Sequence, residues 1–149
     1  MALRARSKLA CKIADIDPLR LNEAVFAKHY NCAPETRAGS PRIFDEDGIV
    51  ALRIFGDKTR IGWSTANAGE LACSVLAEIQ RNPEAEWVTI IWDIAGRRAM
   101  TSEKFLKEDE SLTPIAPGWK LYQDCINVKA IRSYVRECLE EERTILGAE

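Results

Sequence analysis

The chain has 149 residues but only one histidine, His29, and that scarcity removes most acid–base designs at the outset. No Gly-x-Ser-x-Gly elbow accompanies His29, so a Ser/His/Asp relay has no support. Neither a phosphate loop of the Walker type nor a Gly-x-Gly-x-x-Gly fingerprint occurs. Long apolar runs are missing as well: a bilayer span needs roughly 18 to 20 residues, and the longest apolar-rich stretch, Trp87 to Trp92, stops at Asp93. The charged start, Met1 to Lys8, is not followed by the apolar segment of a secretory signal, so a cytoplasmic protein without a membrane partner is expected. The five cysteines (Cys11, Cys32, Cys73, Cys125, Cys138) are odd in number and scattered, with no C-x-x-C. That pattern supports neither a disulfide framework nor a zinc ribbon, and reduced, packed thiols are expected. Excess charge of one sign is also absent: 21 basic against 23 acidic residues give a net −2. A surface basic throughout is excluded, while a local basic patch is not.

What is present suffices for a core, with 46% apolar and 30% charged residues in a length typical of one domain. Arg4, Arg6, Lys8 and Lys12 come before any acid, and residues 1–17 read as a basic N-terminal arm. Asp17-Pro18 has the form of a cap followed by proline at the first helical position, opening a helix to about Tyr30. Leu21, Ala24 and Val25 share one face of it, with Phe26 and Tyr30 beside them. Two prolines and a glycine make 31–41 a turn-rich loop. Arg42-Ile43-Phe44 reads as a short strand, and Asp45 caps a helix to about Arg60. Ser64 caps the next, where Ala68, Leu71, Ala72, Val75, Leu76 and Ile79 keep helical spacing throughout. So short a link as Ile61-Gly62-Trp63 makes the two a tight pair.

From Trp87 the period changes to alternation, which predicts a strand. Arg97 to Met100 reads as a returning strand, Glu103 to Lys107 as a short helix and Thr113 to Gly118 as a loop. Trp119 to Ile126 reads as a strand able to pair with the first, and Asn127 caps a last helix that stops near Gly147. The fold class is α+β and mostly helical, with 18–83 as one region and 84–149 as a small α+β region packed on it.

Candidate chemistry is sparse. His29-x-x-Cys32 offers two ligands where a closed zinc site needs about four. The triplet Asp45-Glu46-Asp47 suits a helix start, where the dipole favours negative charge. Asp93 and Glu103-Lys104 lack the spacing of a metal nuclease. The expectation is a protein that is not an enzyme, with no cofactor and no metal.

Four stretches carry a resemblance: Pro34-Glu35-Thr36-Arg37, Pro41 to Asp47, Ile49 to Phe55 and Arg60-Ile61-Gly62-Trp63-Ser64. Together they resemble the winged-helix (helix-turn-helix) DNA-binding domain of MerR-type regulators, as a degenerate member, over about residues 19–80. The resemblance implies a transcriptional regulator that binds double-stranded DNA as a homodimer, through a basic loop and wing. Arg37 and Arg42 are then suited to phosphate or guanine contact, and Lys28, Thr36 and Ser40 to phosphate oxygens. The alternative is a non-catalytic protein-interaction module, an adaptor or antitoxin-like partner, built on the same scaffold.

Overall fold

The computed structural model describes residues 3–36, 38–93, 96–102 and 120–146. Arg37, the helix expected around Glu103 to Lys107, the Thr113 to Gly118 loop, Trp119 and Gly147 lie outside them. The fold class is α+β and mostly helical, as the periodicities predict.

The first residues do not form an arm. Strand β1 (Arg4–Arg6) pairs antiparallel with β2 (Ile43–Asp45), placing buried Ala5 opposite buried Phe44 while Arg4 and Arg6 point outward. The amide of Ser7 donates to the Arg42 carbonyl at 3.2 Å, and helix α1 (Ser7–Ala14) begins there. It buries Ala10, Cys11, Ile13 and Ala14 and leaves Lys8 and Lys12 in solvent. The basic run is thus the outer face of a strand and a helix whose inner face is apolar.

A connection of Asp15 to Asp17 leads to α2 (Pro18–Phe26), capped by Asp17, whose carboxylate accepts from the Leu19 amide at 2.9 Å. This helix ends at Phe26, four residues before Tyr30. Helix α3 (Glu46–Arg60) is the centre of the molecule and buries Ile49, Val50, Ala51, Leu52, Ile54 and Phe55 on nearly every side. Asp45 caps it, accepting from the Gly48 amide at 2.7 Å. Gly62, at φ +104°, turns the chain sharply into α4 (Thr65–Arg81), which Ser64 caps. The two helices pack along each other as the short link requires.

Strands β3 (Val88–Asp93), β4 (Gly96–Thr101) and β5 (Lys120–Ile126) form an antiparallel sheet in the order β4-β3-β5. Val88, Ile90 and Trp92 face the helices and join the main core, while Ile91 and Met100 form a small cluster on the other face. Asn127 caps α5 (Val128–Leu146), accepting from the Ala130 amide at 3.0 Å. Val128, Val135 and Leu139 pack inward toward α3, so both halves of the chain share one core.

The acidic triplet has a structural use throughout. Asp45 is the cap, Asp47 meets Arg132 at 3.3 Å and Glu46 meets Arg136 at 2.9 Å, tying the start of α3 to α5. Among the described residues no group of three or more His, Cys, Asp or Glu side chains is placed to hold a metal ion. No helix among them is long and apolar enough to cross a membrane.

Candidate nucleic-acid interface

Helix α2 is held on one side only. Leu21 and Ala24 are buried and Val25 is half-buried, whereas Leu19, Arg20, Asn22, Glu23 and Phe26 face solvent. Phe26, expected beside the buried face, is 91% exposed. At about 100° per residue it falls in line with Leu19, Asn22 and Glu23, spaced i, i+3, i+4, i+7, opposite Leu21 and Ala24. Leu19, at 63% exposure, sits at the other end of this outward stripe.

The end of α2 is built by backbone geometry. Lys28 adopts the left-handed conformation at φ +61°, and the His29 amide reaches back to the Ala24 carbonyl at 2.8 Å while the Lys28 amide reaches Val25 at 3.1 Å. This is the Schellman closure of a helix, and it stops α2 at Phe26. The same closure ends α1, with Asp15 at φ +56° and the Ile16 amide on the Cys11 carbonyl at 2.9 Å.

From there the chain is strapped to α4. The Nδ1 atom of His29 and the hydroxyl of Thr65 are hydrogen-bonded at 2.7 Å, and the histidine is half-buried. Tyr30 is buried, its ring edge-on to Phe55 with centroids 4.9 Å apart. Burial pushes its hydroxyl pKa well above the usual value. Beyond Tyr30, Cys32 is disulfide-bonded to Cys73 of α4, with Cα atoms 5.5 Å apart. The expectation of reduced thiols fails for this pair, because the fold brings together two cysteines that are distant in sequence. Cys11, Cys125 and Cys138 are free, and burial first, then the Asp17 charge, pushes the Cys11 thiol up to about 11.

The residues expected to meet DNA are distributed along this path. Lys28 is exposed at the left-handed turn, and Thr36 and Ser40 are exposed on the loop that follows. Arg42 is half-buried, and its guanidinium donates to the Pro34 carbonyl, closing the stem of the loop that carries Thr36 and Ser40. Arg37 lies outside the described residues. Sequence reasoning missed β1 and α1 as folded parts of this face, and with them the outward stripe of α2. The available signal was the spacing of Ala10, Cys11, Ile13 and Ala14 ahead of a short polar connection and a capped second helix.

Electrostatics separate this region from the remainder. Arg53, Lys58, Arg60, Arg81, Arg97, Lys129, Arg132 and Arg136 each pair with a carboxylate, Lys58 with Asp124 at 2.6 Å and Arg97 with Glu70 at 2.9 Å among them. By contrast Arg4, Arg6, Lys8, Lys12, Arg20 and Lys28 are all exposed, and none has a carboxylate within ion-pair distance among the described residues. The described cations of β1, α1 and α2, and Lys28 just beyond it, are thus left to solvent. Compared with known protein families and with curated proteins, the chain matches none.

Proposed function

We propose that the chain is a cytoplasmic, non-enzymatic regulator that binds double-stranded DNA as a homodimer. In this reading α2 opens a degenerate MerR-like winged-helix region with α1 packed ahead of it, and the loop closed by Arg42 is its wing. The observation that carries the reading is the distribution of charge: among the described residues eight cations of α3, α4, β4 and α5 pair with carboxylates, and those of β1, α1 and α2 are left to solvent. Arg4, Arg6, Lys8 and Lys12 neutralise phosphates, joined by Lys28, Thr36, Ser40 and Arg37. The outward stripe of α2 enters the major groove. There Asn22 suits adenine, Glu23 suits the cytosine amino group, and Leu19 and Phe26 suit thymine methyls.

Fluorescence titration with duplex DNA at several salt concentrations tests the reading. The logarithm of affinity falls linearly with that of salt, by about 0.9 for each phosphate neutralised. Absence of binding at low salt overturns it.

The exposure of Phe26 and Leu19 favours a second reading, a protein-interaction module in which α2 lays an apolar stripe on a partner. Replacing Arg37 and Arg42 by alanine separates the two. Loss of DNA affinity with an intact fold supports the first reading, and an unchanged partner profile supports the second.

A further inference from the structure

We infer that Cys32 and Cys73 are a reversible thiol–disulfide clasp that sets how firmly the end of α2 is held against α4. Three observations carry this. The clasp joins two separate elements: Cys32 lies in the strap after α2 and Cys73 lies within α4. Both cysteines are half-buried, so small thiols reach them, unlike buried Cys11. Cys32 also lines a surface cavity of about 320 Å³ together with Arg4, Asp45 and Gln80, an opening wide enough to admit a small thiol.

The chemistry balances with a low-molecular-weight disulfide as oxidant. The Cys32 thiolate attacks one of its sulfurs, forming a mixed disulfide and expelling one small thiolate. Cys73, as thiolate, then attacks the Cys32 sulfur and expels the second. The two cysteine protons leave with the two released thiols, two cysteine sulfurs are oxidised, and one small disulfide is reduced. Reduced small thiol reverses the sequence.

The mechanical consequence follows from how little else fixes α2. Its buried anchors are Leu21 and Ala24, and its far end depends on the strap. Opening the clasp leaves the His29–Thr65 hydrogen bond, buried Tyr30 and the packing of the His29 backbone against Gly69 of α4 to hold that end. The effect on DNA rests on the function proposed above, whereas the chemistry does not. If the unclasped chain holds α2 in its binding position about a tenth of the time, affinity falls about tenfold.

The experiment equilibrates the full chain in glutathione buffers from reduced to oxidised, and follows linked peptides by mass spectrometry and amide exchange over residues 27–36. The expected result is a Cys32–Cys73 linkage that forms and opens across the series, with exchange of this segment slowed at least tenfold on oxidation. Cys32→Ser and Cys73→Ser, each checked for fold by circular dichroism, abolish that change, and Cys125→Ser keeps it. The oxidised and reduced natural chain gives the same comparison without a variant. Failure of the linkage to form, failure of reduced glutathione to open it, or formation without slower exchange overturns the clasp. Duplex affinity is measured in both states. A reversible clasp with no DNA binding in either state overturns the DNA reading and leaves the clasp standing, while binding that is equal in both overturns its control of α2.

Discussion

A β-carbon placed on Gly69 lies 1.8 Å from the carbonyl oxygen of His29. Helix α4 therefore has a notch at this position, and the backbone leaving α2 runs through it. No alanine rotamer relieves such a contact, because both sides are backbone. Gly69→Ala is expected to destabilise the chain by about 1–3 kcal/mol in urea unfolding. An alanine in mid-helix otherwise gains up to about 1 kcal/mol, so a stabilised variant contradicts the close approach.

Lys28 occupies a conformation that costs an L-residue roughly 1–2 kcal/mol and costs glycine little. Lys28→Gly is expected to raise stability by about 1 kcal/mol while lowering the salt dependence of DNA affinity by about one phosphate equivalent. Urea unfolding and anisotropy titrations on the same preparation separate the two effects. A variant that is less stable shows that the side chain is needed at the turn.

Reduction of the Cys32–Cys73 bond removes a link between positions 41 apart. Loop-closure entropy assigns such a link about 4 kcal/mol of stability. Urea midpoints with and without reductant measure it, and Cys73→Ser is expected to unfold at the reduced midpoint in either buffer. A much smaller difference shows that the reduced, unfolded chain stays compact about the strap.

Alkaline pH is expected to weaken the fold from pH 9 upward. The Cys11 thiol, ordinarily near 9.0, titrates at about 11 in the folded protein. A raised folded value means that stability is fully present below pH 9 and is lost as pH rises toward 11. Tyr30 acts in the same direction above its own ordinary value of 10.0. The loss from Cys11 is of order 2 kcal/mol, and Cys11→Ala is expected to flatten the pH profile between 9 and 11. An unchanged slope overturns the assignment.

Much of the framework was legible because it is local. The stripe from Ala68 to Ile79, the alternation after Trp87 and the caps at Asp17, Asp45, Ser64 and Asn127 all depend on residues a few positions apart. What escaped depends on distant partners. Arg4, Ala5 and Arg6 are too few to announce a strand, and become one only because Ile43, Phe44 and Asp45 lie alongside. The inner face of α1 has Ile13 as its one large apolar residue beside alanines and a cysteine, a weak hydrophobic signal interrupted by Lys8 and Lys12. Phe26 differs for another reason: expected beside the buried face, it is in phase with the outward stripe of α2. The pairing of Cys32 with Cys73 has no signature in spacing at all.

The pairing of Ala5 with Phe44 also bears on the order in which the molecule can assemble. A ribosome releases α1 and α2 well before β2, and α4 later still. Until residue 45 has emerged β1 has no partner, and until Gly69 follows, the end of α2 has no notch to enter. Non-local closure of this kind delays folding, since the loop must be ordered before its contacts form. The two helices therefore wait, with apolar faces uncovered, until β2 and then α4 have followed them.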